Sequence, residues 1–378
     1  MTHPLGRSPL DCMKRLLPVL AIAGLFVTPR AGACTRVLYS GVENTVVTGR
    51  SMDWAQDMGT NLWLFPRGIE RNGNAGPGSI TWTSKYGSLI ASIYETATVD
   101  GMNEKGLVAN VLYLVESDYG STEGHPKLCI SLWAQYVLDQ FQSVSEAVEA
   151  LAGEPFRIVA PTLPNGSPAQ GHLAISDPTG DSAIFEYVGG KLVIHHGSEY
   201  TVMTNSPVFT QQLALNTYWQ SIGGTVFLPG TNRASDRFAR ASFFVNAVPK
   251  KADPNYITAV PDQSFNFQAI ASVLSIMRGV SVPLGISMPD QPNIASTIWR
   301  TAADQKNHIY YFDSATTPNT FWVDLDDLNL AKGSPVQCLE VAGGRVYSGN
   351  TAKAFAPKKA FPWLSGDLGQ NFPTLERP

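Results

Sequence analysis

The chain has 378 residues, with 27 Lys and Arg against 31 Asp and Glu, for a net charge of −4. That balance, without any Lys/Arg block or stripe, excludes nucleic acid as a partner class. Glycine (33), proline (26) and 10% aromatics favour many strands and turns over a helical bundle.

The first 33 residues read as a secretory signal peptide, and 34–378 as one domain whose last stretch, from about 333, is a wrapping tail. Arg7, Lys14 and Arg15 form a basic n-region. Residues 16–27 (LLPVLAIAGLFV) form an apolar h-region too short to span a bilayer, and Ala31-x-Ala33 is a small-x-small cleavage signal. No later apolar run reaches spanning length, so the product is expected to be exported (periplasmic or secreted) without a membrane span. The leader holds four basic residues and one acid, so its removal takes the net charge to −7.

Cleavage after Ala33 places a thiol and a free α-amine on one residue, Cys34. An α-amine with an unperturbed pKa of roughly 8 suits general-base work near neutral pH. A thiol beside such a base is an activated nucleophile. The competing reading is lipidation of Cys34, although Ala31 stands where lipoprotein signals usually carry a larger aliphatic residue. Cys129 and Cys338 also remain, either bridged or as two separate buried thiols.

From Cys34 the text reads as a hairpin: a strand over 35–39, a turn over 40–44 and a return strand over 45–50. A turn centred on Val42 sets Arg50 opposite Cys34, where a guanidinium favours thiolate and any nearby oxyanion. Met52 shares Arg50's face by strand parity. Asp53 follows at the strand end, where a carboxylate holds a terminal ammonium; an ordinary surface pair with Arg50 is the plainer alternative. Strands follow over 61–66 and 88–94. The DGMNEKGL segment at 100–107 reads as a turn with glycine near each end, ahead of an apolar run to Tyr113. Helical periodicity over 128–141 puts Cys129 inside a helix, and Ser143 to Glu146 is a capping box opening a second one.

Period-two text returns at 172–176, 182–187, 191–195 and 200–204, an antiparallel meander ending at Asn205 in a TNSP turn. His195 and His196 point to opposite faces of their strand, which argues against a metal site. Helices are expected over 211–220, from an N-cap at Ser235 and over 264–278, then a hairpin over 298–304 and 309–313 with a further strand at 320–325.

Cys34-Thr35-Arg36, Gly49-Arg50-Ser51-Met52-Asp53-Trp54, DGMNEKGL and TNSP together resemble the choloylglycine hydrolases and penicillin V acylases, linear-amide hydrolases of the N-terminal-nucleophile superfamily. The resemblance implies an α+β fold, the αββα four-layer sandwich with two antiparallel sheets. It also implies a homo-oligomer, a tetramer; no cofactor and no metal are expected. Carried over by motif, Cys34 is the nucleophile, Arg50 supports thiolate and transition state, and Asp53 orients the α-amine. The Tyr113 backbone N–H and the Asn205 amide form the oxyanion hole. Arg237 matches the second active-site arginine, with Arg233 and Arg240 as alternatives. Met52, Trp54, Tyr113 and the hairpin at Trp299 are candidates to line an apolar acyl pocket.

The implied partner is a small-molecule N-acyl amide: penicillin V, a conjugated bile salt or an acyl-homoserine lactone. Tyr113 favours the acylase branch, where bile-salt hydrolases more often carry asparagine. The alternative is a non-catalytic exported or lipid-anchored β-rich binding protein. The two separate at the N-terminus of the exported product. Intact mass is expected to show an unmodified chain beginning at Cys34, whereas a diacylglycerol there or retained residues before it would leave no free amine to act as base.

Overall fold

The period-two segments form two large sheets in the computed structural model, which describes residues 33–287 and 295–366. Of the expected signal peptide, only Ala33 falls within them. Among the described residues, one sheet has seven strands, in the spatial order Val202–Met203, Thr35–Ser40, Val46–Trp54, Ser296–Asp304, Ile309–Ser314, Thr320–Asp324 and Gly349–Asn350. The other has nine: Lys191–His196, Ser182–Val188, His172–Ser176, Val108–Leu112, Ala97–Asn103, Ser88–Ile93, Leu62–Phe65, Gln337–Leu339 and Ala356–Pro357. Within both, all neighbours are antiparallel except the Thr320–Asp324 and Gly349–Asn350 pair.

The central strands Val46–Trp54 and Ala97–Asn103 are buried along their whole length, which requires cover on both faces. Helix Phe265–Gly279 packs on the first and helix Trp133–Gln140 on the second. Both helices approach at a glycine. A Cβ on Gly49 would lie 2.6 Å from Val273 and 2.9 Å from Met277, and one on Gly101 would lie 2.7 Å from Ile90 and 3.0 Å from Leu138. The remaining faces meet each other, so the layers run helix, sheet, sheet, helix. Hydrogen bonds stitch the two sheets together. Thr48 meets Ser176 at 2.7 Å, Thr301 donates to Asp100 at 3.2 Å, Tyr310 donates to Asp100 at 2.5 Å, and Arg36 donates to Ser182 at 3.2 Å. Buried polar groups paired in this way rigidify a core instead of weakening it.

Several local expectations are corrected. The hairpin turn centres on Glu43, not Val42, because Glu43 and Asn44 take left-handed backbone at φ 59° and 55°. Arg50 therefore pairs with Arg36, not Cys34. A slip of two residues keeps every side chain on its face, so Arg50 still lies on the same side as Cys34. The return strand runs through Trp54, which puts Asp53 inside it. Cys129 lies in the short strand Lys127–Cys129, paired in parallel with Arg157–Val159, and only Trp133–Gln140 is α-helical. Asp100 to Asn103 belong to a strand, and the turn falls at 104–106, where Gly106 has φ 77°. Val202–Met203 leaves the meander and pairs with Thr35–Ser40 in the other sheet. Arg233, not Ser235, is the N-cap of helix Ala234–Ala247. Cys34, Cys129 and Cys338 are all free thiols. The tail also has pairing the text did not signal: it adds edge strands to both sheets.

Gly49→Ala forces a methyl group into the helix Phe265–Gly279. Overpacking of this kind costs about 1–3 kcal/mol, which should appear as a lowered urea midpoint; an unchanged midpoint would mean the helix can move away freely.

Candidate active site

Continued past Thr35 and Ser51, the hairpin register sets Cys34 opposite Met52 and Ala33 opposite Asp53. The Ala33 amide donates to the Asp53 carbonyl at 3.4 Å in that register. The Cys34 thiol is 2% exposed. Its Sγ lies 3.8 Å from Met52 Sδ and 3.8 Å from Arg50 Nη2.

Arg50 is aimed by groups from both sheets. Its guanidinium stacks 4.5 Å from the Trp299 ring centroid, donates to the Val111 carbonyl at 3.2 Å, and sits 4.0 Å from the Asp100 carboxylate. Asp100 is fixed in turn by Tyr310, by Asn110 at 2.9 Å and by Thr301. Burial pushes the Cys34 thiol above its usual pKa, the Arg50 charge pulls it back down, and the Asp53 charge pushes it up again.

Asp53 is wholly buried. Its Oδ1 accepts from Thr297 Oγ1 at 2.6 Å, while Oδ2 makes no hydrogen bond to any described residue and lies 4.0 Å from Arg237 Nη1. Burial raises its carboxyl to about 6, against the lowering charge of Arg237 and the Thr297 hydrogen bond. Of the three candidate arginines, Arg237 is the one that reaches Cys34. It donates to the Cys34 carbonyl at 2.6 Å, to Thr35 Oγ1, and to Asn205 Oδ1 at 2.8 Å. Arg233 is exposed, and Arg240 binds the Pro229 and Thr231 carbonyls instead.

With its oxygen held by Arg237, the Asn205 amide turns its Nδ2 toward the Tyr113 carbonyl, to which it donates at 2.6 Å. One amide hydrogen remains. The preceding Thr204 carbonyl is met by His172 Nε2 at 2.7 Å, and His172 Nδ1 lies 2.7 Å from Glu186. Glu186 also caps the start of helix Phe209–Ile222 by accepting from the Phe209 amide at 2.9 Å.

The thiol faces a cavity whose walls include Met52, Trp54, Met58, Val99 and Tyr113. Trp54 is anchored by an Nε1 hydrogen bond to Tyr94 at 2.8 Å and packs edge-on against Tyr113 at 5.7 Å. Trp299 does not line this cavity. It borders a neighbouring one beside Trp54 that leaves out Cys34. Among the described residues no His, Cys, Asp and Glu cluster has the arrangement of a metal site, and no helix is long and apolar enough to cross a membrane.

Cys34, Arg50, Met52, Asp53, Trp54, Tyr113, Asn205 and Arg237 thus meet around one thiol, whereas Arg233 and Arg240 stay away from it and Trp299 lies behind Arg50. Asp100, Thr297 and His172 escaped the sequence reading. Asp100 lay inside a segment read as a turn, and the other two approach from strands more than a hundred residues away in the chain.

The profile of the linear amide C–N hydrolases, choloylglycine hydrolase family, matches residues 34–341. A penicillin V acylase of Pectobacterium atrosepticum is 49% identical over 344 residues, which covers 87% of this chain and 91% of that protein. A bile salt hydrolase/transferase of Bifidobacterium longum is 21% identical over 313 residues, covering 75% and 93%. The solved structure of a penicillin V acylase from Agrobacterium tumefaciens superposes with a TM-score of 0.79 at 55% identity, covering 88% of this chain and 100% of that one. A conjugated bile acid hydrolase from Clostridium perfringens, 22% identical with a TM-score of 0.68 over 83% and 99% of the two chains, shares the fold. Together with the α+β architecture of two antiparallel sheets, these matches place the chain in the choloylglycine hydrolase family of linear amide C–N hydrolases.

Proposed function

We propose that this chain is an exported acylase of the penicillin V type, which cleaves N-acyl amides through Cys34 once residues 1–33 have been removed. The observation that carries this reading is the buried Cys34 thiol at the wall of an apolar cavity with Arg50 Nη2 3.8 Å away. The family profile's match from residue 34 supports the same start point. Asp53 adds a second line of support. A buried carboxylate oxygen without a hydrogen bond is costly, and a freed α-ammonium on Cys34 supplies the hydrogen-bond donor that Oδ2 lacks.

In this chemistry the α-amine takes the thiol proton, and Sγ adds to the amide carbonyl carbon. The resulting oxyanion accepts hydrogen bonds from the remaining Asn205 Nδ2 hydrogen and the Tyr113 backbone N–H; one such donor is worth about 10²–10³ in kcat. Collapse breaks the C–N bond, and the departing amine takes its proton from the α-ammonium. An acyl-thioester stays on Cys34. Water, deprotonated by the same amine, then hydrolyses it and regenerates the thiol. Arg50 stabilises the thiolate in both halves.

The acylase branch is favoured over bile salts by the 49% and 55% identities to penicillin V acylases against 21% and 22% to bile-salt enzymes. A compact cavity faced by Met52, Trp54 and Tyr113 suits an aryl-ether acyl group. The mature enzyme is expected to show at least about tenfold higher kcat/KM on penicillin V than on glycocholate, equal to ~1.4 kcal/mol; the opposite preference would reassign the substrate and leave the amidase chemistry in place.

Asp53 also sets a pH dependence. Below its pKa the carboxyl is neutral and no longer holds the ammonium. Burial places that pKa at about 6, and a bound ammonium lowers it. Loss of that hold is therefore expected as a further step in kcat/KM at or below about pH 6, beneath the limb set by protonation of the α-amine itself. Asp53→Asn should lower the plateau and remove that lower step, and a profile that keeps the step would assign it to another group.

A further inference from the structure

We propose that Leu364, carried by the C-terminal tail, sets the length of acyl chain that the Cys34 cavity accepts. This rests on the reading of that cavity as an acyl pocket. Four parts of the chain build its walls, one of them the loop that carries Leu163, Ala169 and Gln170. The N-terminal hairpin supplies Cys34, Arg50, Met52 and Trp54; the nine-stranded sheet and the segment before helix Trp133–Gln140 supply Val99 and Ile130; the tail supplies Leu364. The family model matches this chain only to residue 341, so this last wall lies beyond the matched residues.

Leu364 is not a loose end lying over the opening. It is 1% exposed and belongs to the main hydrophobic core. Its amide donates to the Thr96 carbonyl at 2.8 Å, and its carbonyl accepts from Ser131 Oγ at 2.9 Å. Thr96 leads into Ala97, Thr98 and Val99, and Ser131 follows Ile130; all four neighbours and Ser131 itself face the cavity. Both sides of Leu364 are therefore bolted to cavity wall.

The flanking residues hold the register. Asn74 Nδ2 donates to the Trp363 carbonyl at 3.0 Å, and the Gly366 amide donates to the Asn74 carbonyl at 2.7 Å. Trp363 packs against Phe361 at 4.6 Å and under the Arg71 guanidinium at 5.4 Å. A Cβ on Gly366 would lie 2.5 Å from Val159, so the tail sits against the body with no space to spare. A side chain held this firmly acts as a fixed stop. An acyl group esterified to Cys34 Sγ extends between these walls, and the volume of residue 364 decides how far. In an apolar pocket, one methylene changes discrimination by about 10–200-fold.

The test compares mature wild type, Leu364→Ala and Leu364→Phe on one penicillin nucleus bearing phenoxyacetyl, hexanoyl, octanoyl or decanoyl groups, with thermal melting as the check on folding. For Leu364→Ala, the kcat/KM ratio of decanoyl to phenoxyacetyl is expected to rise at least about tenfold. For Leu364→Phe the same ratio is expected to fall, with hexanoyl spared. The second variant keeps a large apolar side chain in place, so the sign is read even from a preparation in which Leu364→Ala does not fold. Ratios unchanged in folded variants that still cleave the phenoxyacetyl amide would overturn the role of Leu364 and leave the acylase reading intact. Failure of wild type to cleave any of the four would overturn both.

Discussion

Arg237 is the group on which the geometry around Cys34 depends. A guanidinium with no exposure is costly to desolvate, and burial pulls its pKa below the usual arginine value, against the raising charges of Asp53 and Cys34. What offsets the cost is a set of charge-assisted hydrogen bonds to two separate parts of the chain: the Cys34 carbonyl and Thr35 hydroxyl at the N-terminal strand, and the Asn205 amide oxygen. The N-terminal strand and the Asn205 turn are thereby fixed to one helix. The Asn205 amide cannot flip without setting its own NH2 donor against Arg237 Nη2, so its Nδ2 stays turned toward Tyr113.

A second buried arginine does different work. Arg50 points from one sheet toward the other, where Asp100 holds it, and the Trp299 ring from its own sheet stacks against its guanidinium. The polar seam between the sheets is thus continuous with the thiol, while the cavity beyond the thiol is apolar. Charges at such a boundary act through a lower effective dielectric than in water. That is where a guanidinium has most influence on a neighbouring sulfur, and where an apolar acyl group has most to gain from burial.

Much of this was legible because it is local. Cys34, Arg50 and Asp53 fall within one hairpin, so strand parity alone puts Arg50 on the thiol's side, and the mistaken turn centre cost two residues of register without changing a face. The missing cue was turn chemistry: Asn44 tolerates left-handed backbone and moved the turn by one residue. Asn205 and Arg237 lie far along the chain, and no local pattern marks them; they came from motif resemblance. Arg237 was then separated from Arg233 and Arg240 only by where the helix points each side chain. Cys129 failed as a helical residue because the parallel pairing of Lys127–Cys129 with Arg157–Val159 overrides helical periodicity. Asp100, Thr297 and Leu364 were invisible for the same kind of reason, since each acquires its partner only when distant strands or the tail arrive.

The central claim is covalent chemistry at one sulfur, and it is tested most directly by trapping. Mature protein is mixed with excess penicillin V, quenched in acid within the first turnovers, digested and mapped by mass spectrometry. The account predicts a phenoxyacetyl group on the N-terminal peptide, attached to a Cys34 that begins the chain, at an occupancy that falls as substrate is exhausted. Product release with Cys34 unmodified at every quench time, or an acyl group on another residue, would contradict it.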